Sequence, residues 1–303
     1  MINRLFFRDM DESIRHLLIL GCGYVGERLG RVAIERGARV SGTTRSEARA
    51  DALAASGIEP VIVSSPAELP DELLQQCDAL VDSIPLVRDE AGMHAPQLEW
   101  LPRIGSKLSH IRWAGYLSST GVYGDAGGAW VDETCDCRPT SQRGRQRLRA
   151  ESAWLDAGLP AEVFRIAGIY GPRRNIIPRL MSGEYKAVRW EPPHWSNRIH
   201  VDDIVDALMV AMQRPRPGRI VNLADDEPMP HADYVSELAR MVGASEPVML
   251  TPEEGERELG PAMLAFFRDN KRVGNRRLHA ELLPELRYPG FRNAVPMLME
   301  GTG

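Results

Sequence analysis

Residues 17–26 read LLILGCGYVG, and this stretch is the most informative part of the chain. Its first four residues are apolar, as in a β-strand that is buried on both faces. Three glycines follow with the spacing G-x-G-x-x-G, and a helical pattern of apolar residues begins directly after them. The order of strand, glycine turn and helix is the context that the pyrophosphate of a dinucleotide requires.

Each glycine of this turn has its own physical role in that interpretation. Gly21 permits the tight turn out of the strand, Gly23 lets the backbone approach the phosphates, and Gly26 lets the helix pack close to the strand. The amides at the helix start, at Tyr24 and Val25, then face the anion, and the helix dipole stabilises it. We predict cofactor contacts at all five residues; the alternative is an ordinary tight turn.

The end of the second strand indicates which nucleotide binds. Residues 39–43 are expected to form this strand, and an acidic residue near its end would hold the ribose 2′-hydroxyl of NAD. The chain has no acid there and continues with Thr44, Arg45 and Ser46. The Arg45 guanidinium suits a 2′-phosphate, and the hydroxyls add hydrogen bonds. NADP(H) is therefore favoured over NAD(H), and the alternative is a solvated surface arginine.

The composition argues against several classes of protein. A net charge of −5 over 303 residues argues against a general binder of nucleic acid or of anionic membranes. The sequence has no apolar run of about 18 residues, so we expect no transmembrane helix. The four cysteines lack metal-ligand spacing, so we expect reduced thiols, no metal site and a cytoplasmic protein.

Strand and helix patterns alternate through the first half of the chain. This alternation predicts an α/β fold, namely a Rossmann-type doubly wound parallel sheet with a small C-terminal substrate lobe. We expect an N-terminal extension at residues 1–15, a dinucleotide-binding core at 16–170, and a smaller lobe, interleaved with the core, at 171–303. Further predicted elements are strands at 60–63, 114–119, 161–166 and 220–223 and helices at 96–110, 140–157, 204–212 and 232–242.

The fourth predicted strand, at residues 78–85, is expected to end beside the cofactor. Its last residues are Ser83, Ile84 and Pro85, and the proline ends the strand. Ligands of open α/β sheets collect at the carboxyl ends of the strands. These three residues are therefore predicted to border the dinucleotide.

The chain also carries motifs in a characteristic order. The glycine turn is followed by SSTGVYG at residues 118–124, by RIAGIYGP at 165–172 and by HVDD at 200–203. Together they resemble the extended short-chain dehydrogenase/reductase superfamily, which contains the NAD-dependent sugar epimerases and dehydratases. The resemblance implies a Rossmann fold, a bound NAD(P) cofactor, a small-molecule substrate and a homodimer.

The resemblance assigns catalytic roles, and this chain departs from them. The superfamily's Ser or Thr, four residues before the tyrosine of the Val-Tyr-Gly motif, polarises the substrate oxygen, and here it is Ser119. The superfamily's Tyr-x-x-x-Lys lies on the next long helix, where this chain has Arg143 and Arg147. Arginine keeps its proton, so it cannot act as a general base. The resemblance implies that Arg147 holds the nicotinamide ribose, while Arg143 suits an anionic substrate or an oxyanion.

Three explanations for the missing tyrosine stay open. Tyr123 supplies the proton instead, or a bound water does, or the protein binds the dinucleotide without turnover. The alternative for Tyr123 is a packed aromatic, and the alternative for Ser119 is a serine that satisfies a backbone group at the strand end. Arg165, near the end of a strand, is either a ligand contact or part of a structural ion pair.

These observations predict an NAD(P)-binding oxidoreductase of the epimerase/dehydratase type with an atypical active site. Its substrate is expected to be small and either anionic or sugar-like. The alternative is a non-catalytic dinucleotide-binding protein that acts as a sensor or regulator. A third hypothesis is a flavin-binding relative that uses the same glycine turn.

Overall fold

The computed structural model describes residues 14–90, 92–261, 264 and 267–300. The predicted N-terminal extension falls almost entirely outside these residues. The chain forms two compact units. The first contains the described residues of Met1–Ser118 with Gln146–Arg165 and Ile204–Val221, and the second contains Ser119–Arg145, Ile166–Asp203 and the described residues of Asn222–Gly303. The predicted division between residues 170 and 171 stays a prediction.

A seven-stranded sheet is the main feature of the first unit. Its strands are β1 (His16–Leu20), β2 (Arg39–Thr44), β3 (Glu59–Ile62), β4 (Ala79–Asp82), β7 (Trp113–Ser119), β9 (Ala161–Ile166) and β14 (Ile220–Leu223), of which β7, β9 and β14 end with residues of the second unit. They lie in the order β14-β9-β7-β4-β1-β2-β3. Strand β1 is parallel to both β2 and β4, and all its residues are buried, which explains its apolar sequence. The predicted Rossmann-like α/β fold is confirmed.

Helices flank this sheet, and their apolar faces complete its core. They are α1 (Tyr24–Glu35), α2 (Glu47–Ala54), α3 (Asp71–Gln76), α4 (Gln97–Ile104), α5 (Gln142–Leu155) and α7 (Val201–Gln213), of which α5 and α7 begin with residues of the second unit. A short antiparallel hairpin joins β5 (Val87–Asp89) and β6 (Gly92–His94). Trp100 and Trp154 meet edge to face in one apolar cluster of this core, with ring centroids 5.7 Å apart.

The second unit contains short paired strands and several helices. The strand pairs are β8 (Trp130–Val131) with β17 (Arg272–Val273), β10 (Gly168–Tyr170) with β13 (Arg198–His200), β11 (Lys186–Val188) with β16 (Val248–Leu250), and β12 (Trp195–Ser196) with β15 (Met229–Pro230). Its helices include α6 (Ile177–Met181), α8 (His231–Met241), α9 (Pro252–Glu258), α10 (Arg276–Glu281) and α11 (Phe291–Glu300). Tyr234 and Phe291 form the centre of a separate apolar core, with ring centroids 4.9 Å apart.

The element boundaries follow the sequence patterns closely in the sheet. The strands predicted at 161–166 and 220–223 have the predicted limits. The helix predicted at 140–157 spans Gln142–Leu155, and the one predicted at 204–212 begins earlier, at Val201. The predicted helix at 96–110 is an α-helix only to Ile104 and continues as a tighter 3₁₀ turn over Gly105–Leu108.

Candidate active site

The glycine turn is tied to the end of strand β2. The Gly21 amide donates to Thr43 Oγ1 at 2.8 Å, and the Cys22 amide donates to the Thr43 carbonyl, also at 2.8 Å. Gly21 has a φ of 71°, which glycine adopts without strain, and a Cβ there would lie 3.0–3.1 Å from Ile84. The tight turn predicted at Gly21 is therefore confirmed.

Helix α1 begins directly after this turn. Gly23 is exposed, Tyr24 is half-buried and Val25 is buried. The Glu27 amide donates back to the Gly23 carbonyl at 2.8 Å, so the helical ladder starts there. Amides that precede the first helical bond have no acceptor within their own helix, and with the helix dipole they suit an anion. A Cβ at Gly26 would lie 2.8 Å from a methyl group of β1, which confirms the close packing predicted there.

The residues predicted to recognise the adenosine ribose are the last residue of β2 and the two residues before α2. Thr44 is half-buried, and its Oγ1 accepts from the Ser46 amide at 3.3 Å. Ser46 caps α2, because its Oγ accepts from the Arg49 amide at 3.4 Å. Arg45 is exposed, and no acidic side chain in the described residues pairs with it. Its guanidinium is thus accessible to a ligand.

The segment after β4 borders the glycine turn. Ile84 supplies the atoms that a Cβ at Gly21 would touch, and the Ile84 amide donates to Asp82 Oδ1 at 2.9 Å. Ser83 is half-buried, and its amide donates at 2.9 Å to the last carbonyl of β1. Pro85 is exposed. The structure therefore brings Ser83 and Ile84 to the turn, and the predicted contacts of residues 83–85 with the dinucleotide stay predictions.

A buried carboxyl group supports this segment. Asp82 is fully buried, and its Oδ2 accepts from Trp154 Nε1 at 2.9 Å. Burial raises the pKa of Asp82 to about 6, although the hydrogen bonds from the Ile84 amide and from Trp154 oppose the rise. Asp82 therefore takes up a proton at a higher pH than an exposed aspartate does.

The Arg147 side chain is 9% exposed and makes its contacts inside the first unit. Its Nη1 donates to the Tyr116 hydroxyl at 2.9 Å and to the carbonyls of Leu117 and Ile84 at 3.3 and 3.5 Å. Its Nε is buried without a hydrogen-bond partner among the described residues. Burial raises the pKa of Tyr116, so this phenol stays protonated at neutral pH. The predicted contact of Arg147 with a ribose stays a prediction.

A buried ion pair lies one helical turn further along α5. Glu151 is 2% exposed and accepts from Arg165 Nη2 at 2.8 Å and from Arg165 Nε at 3.2 Å. Its Oε1 also accepts from Ser118 Oγ at 2.5 Å. Of the two alternatives for Arg165, the structure therefore supports the structural ion pair.

In the second unit, Ser119 and Tyr123 belong to one short loop. Ser119 is half-buried, and its Oγ accepts from the Gly121 amide at 3.2 Å, where it caps a 3₁₀ turn over Thr120–Tyr123. Tyr123 is 3% exposed, and its hydroxyl donates to Asn222 Oδ1 at 2.7 Å. These contacts match the packed alternatives for both residues, and their predicted catalytic roles stay predictions.

The start of helix α5 approaches the same loop. A Cβ at Gly144 would lie 2.6 Å from the Gly121 carbonyl, so the two backbones meet without room for a side chain. Arg143, the preceding residue, is exposed. Lys271 holds the other end of the loop, because its buried Nζ donates to the Gly124 carbonyl at 2.9 Å. Arg143 is therefore an exposed residue that directly precedes the contact between α5 and this loop.

The second unit also contains a cavity of about 230 Å³. Its lining combines charged groups with aromatic rings: Arg189, Trp190, His194, His231 and Asp233. Arg189 pairs with Asp233 across 3.0 Å. Ligand pockets have volumes of about 300–1,000 Å³, so this cavity suits a small molecule or part of a larger one.

Residues 17–224 match the model of the NAD dependent epimerase/dehydratase family. The chain belongs to this family. The matched range contains the glycine turn, the segment after β4, the Ser119 loop and helix α5. The resemblance inferred from the order of motifs is therefore confirmed.

Two relatives support the family assignment. Protein YeeZ of Escherichia coli K12 is 30% identical over 248 residues, which cover 77% of this chain and 86% of YeeZ. The solved structure of a functionally unknown conserved protein from Silicibacter pomeroyi DSS is 37% identical, with a TM-score of 0.84, and the match covers 94% of this chain and 98% of that one.

A sugar-nucleotide enzyme shares the fold at lower identity. The UDP-glucose 4-epimerase of Thermotoga maritima, solved with UDP-glucose, is 17% identical with a TM-score of 0.74, and the match covers 94% of this chain and 98% of that one. This likeness concerns the fold alone. Among the described helices of this epimerase/dehydratase family member, none combines the length and the apolar character needed to cross a bilayer.

The sequence analysis did not predict the roles of three polar residues beside the candidate site of this family member. Asp82 ends β4, Glu151 lies one turn after Arg147, and Arg49 contacts the glycine turn. One signal was present in the sequence: Arg147, Glu151 and Trp154 have the spacing i, i+4, i+7 of a single helix face, and the tryptophan marks that face as buried.

Proposed function

We propose that this protein binds NADP(H) at the glycine turn and acts as an oxidoreductase of the epimerase/dehydratase type. One observation carries the proposal. Gly23 is exposed at the start of α1, and a Cβ there would meet only the Gly21 carbonyl, at 3.8 Å. The protein itself thus leaves room for a side chain at Gly23, and close approach of a phosphate explains why glycine stands there.

The nucleotide preference follows from the residues after β2. Arg45 is an exposed cation, and the hydroxyls of Thr44 and Ser46 flank it in sequence. A 2′-phosphate carries charge that a guanidinium binds with strong, paired hydrogen bonds. The same position in an NAD site is expected to hold an acid, which this chain lacks. The proposed cofactor is therefore NADP(H).

The proposed chemistry has to operate without a catalytic phenol at position 143. A bound nicotinamide supplies or accepts the hydride. The Ser119 hydroxyl polarises the substrate oxygen, and the exposed Arg143 guanidinium binds an anionic group of the substrate. Neither group releases a proton near neutral pH, so the proton of the reacting hydroxyl is exchanged with water. The substrate is small and is either anionic or sugar-like.

A second candidate function is a non-catalytic sensor of the dinucleotide. Two observations favour it: Nη1 of Arg147 is engaged with Tyr116 and a backbone carbonyl, and the Tyr123 hydroxyl is engaged with Asn222. In this case the protein binds nucleotide and shows no turnover with any carbonyl or alcohol substrate. Any turnover that is found, and that Ser119→Ala abolishes, favours the enzyme.

The test is calorimetric titration of the purified protein with NADPH and with NADH. We expect NADPH to bind about tenfold more tightly, equivalent to roughly 1.4 kcal/mol. The Arg45→Ala variant should bind both nucleotides with the weaker affinity. Arg103→Ala is the matched control, because Arg103 is another exposed arginine of the first unit.

The outcomes separate the two parts of the proposal. Equal affinity for the two nucleotides in the wild-type protein would defeat the argument from Arg45. Failure to bind either nucleotide at millimolar concentration would defeat the proposed function itself.

A further inference from the structure

The side chain of Arg49 is bonded to the glycine turn. Arg49 lies in the first turn of α2, and its Nη2 donates to the Cys22 carbonyl at 3.2 Å and to the Gly23 carbonyl at 3.3 Å. Its Nε donates to the Cys22 carbonyl at 3.3 Å. The same Nη2 also meets Glu27 Oε2 at 2.9 Å. One guanidinium therefore joins two consecutive peptide groups of the turn to the first turn of α1.

These contacts determine how the turn's amides point. The carbonyl and the following N–H of a trans peptide point in opposite directions, because the peptide group is planar. Fixing the Gly23 carbonyl on Arg49 therefore directs the Tyr24 amide away from Arg49. Fixing the Cys22 carbonyl likewise fixes the N–H of the same peptide group, that of Gly23, which donates to the Gly21 carbonyl at 2.7 Å. An exposed glycine has the largest backbone freedom, so such an anchor matters most there.

The environment of Arg49 also differs from the one expected of an arginine that binds a phosphate. Glu27 meets Arg49 at 2.9 Å and Arg31 at 3.1 Å, so the guanidinium of Arg49 already faces a carboxylate. Arg45, four residues earlier, has no such partner among the described acids. The two arginines after β2 therefore have different environments, and only Arg45 presents an uncompensated cation.

We propose that Arg49 is a positioning residue that holds the glycine turn in its anion-binding conformation and does not contact the 2′-phosphate. This inference rests on the proposed function. The pyrophosphate is common to NADPH and NADH, whereas the 2′-phosphate belongs to NADPH alone. Loss of Arg49 should therefore weaken the binding of both nucleotides by the same factor, and it should leave their affinity ratio unchanged.

The experiment measures the dissociation constants of NADPH and NADH for the wild-type protein and for Arg49→Ala, Arg49→Lys and Arg45→Ala. We expect Arg49→Ala to weaken both nucleotides by about tenfold. Arg49→Lys should recover little of the loss, because a single ammonium lacks the planar fork that spans both carbonyls and the carboxylate. Arg45→Ala should weaken NADPH alone. Arg31→Ala, which removes the other cation on Glu27, is the control for charge.

A thermal unfolding curve for each variant separates positioning from a general loss of structure. We expect the unfolding midpoint of Arg49→Lys to match that of the wild-type protein while its nucleotide affinity falls. Loss confined to NADPH would overturn the proposal and make Arg49 a ligand of the 2′-phosphate. Unchanged affinity for both nucleotides would also overturn it. Absence of binding by the wild-type protein would instead be the failure of the proposed function.

Discussion

In the glycine turn at residues 21–26 the interacting polar groups are backbone amides and carbonyls, whereas on the buried face of α5 they are ionisable side chains. The turn leaves Gly23 exposed, with its carbonyl bonded to Arg49. On α5, Arg147 and Glu151 bond to residues of β7 and β9 inside the first unit.

This difference separates a segment whose polar groups are exposed backbone amides from one whose side chains are buried and paired. Backbone amides at a helix start are uncharged and need no ion-pair partner, so they can donate hydrogen bonds to an anion. Buried ionisable side chains have to satisfy one another, because an unpaired charge away from water is very costly. The buried face of α5 thus stabilises the first unit, whereas the exposed turn is the segment at which we propose that the ligand binds.

The largest effect is expected for the ion pair on the buried face of α5. Glu151→Gln removes the carboxylate that pairs with the buried guanidinium of Arg165. We expect the free energy of unfolding to fall by about 3–5 kcal/mol, measured by urea denaturation at pH 7. The folded fraction should still bind NADPH with wild-type affinity, because Glu151 has no bond to the turn.

The matched control is Glu99→Gln, which neutralises an exposed glutamate on α4. Its unfolding free energy should stay within about 0.5 kcal/mol of the wild-type value. A loss below about 1 kcal/mol for Glu151→Gln would show that the Glu151–Arg165 pair contributes no more than a surface ion pair.

A smaller effect is expected at Asp82, whose carboxylate holds the segment that borders the turn. Burial raises the pKa of Asp82 to about 6, so between pH 4 and 6 the folded protein keeps a proton that the unfolded chain releases. The free energy of unfolding therefore falls as the pH rises through this range. Relative to Asp82→Asn, the wild-type protein should lose roughly 2–3 kcal/mol between pH 4 and pH 7.

Urea denaturation of the two proteins across this pH range measures the difference directly. Asp156→Asn, at an exposed position that follows α5, is the control and should follow the wild-type profile. Profiles of wild-type protein and Asp82→Asn that run parallel from pH 4 to pH 7 would contradict the raised pKa.

The sheet was largely predictable, because most of its strands can be recognised in the sequence as short apolar runs between turn residues. The strands at Ala161–Ile166 and Ile220–Leu223 have the predicted limits, and the conformational roles of Gly21 and Gly26 agree with the spacing of the motif. These features depend on residues close together in the sequence, where steric rules act alone.

The partners of charged residues were not predictable in the same way. The pairing of Arg165 with Glu151 and the contact of Arg49 with the turn join residues that are 14 and at least 26 positions apart. Such pairs depend on how helices pack against the sheet, which local patterns do not determine. The burial of Arg147 is an exception, because its spacing to Trp154 places both residues on one buried face of the helix.

The affinity of Gly23→Ala for NADPH tests most directly whether the pyrophosphate binds at the glycine turn. The protein has room for this methyl group, so the unfolding midpoint should not change, as in the control Gly105→Ala, where a Cβ meets no atom within 4 Å. We expect the affinity of Gly23→Ala for NADPH to fall about 100-fold, roughly 2.7 kcal/mol, because the methyl group occupies the approach of the pyrophosphate. Wild-type affinity for NADPH in Gly23→Ala would contradict the close approach of the pyrophosphate to Gly23.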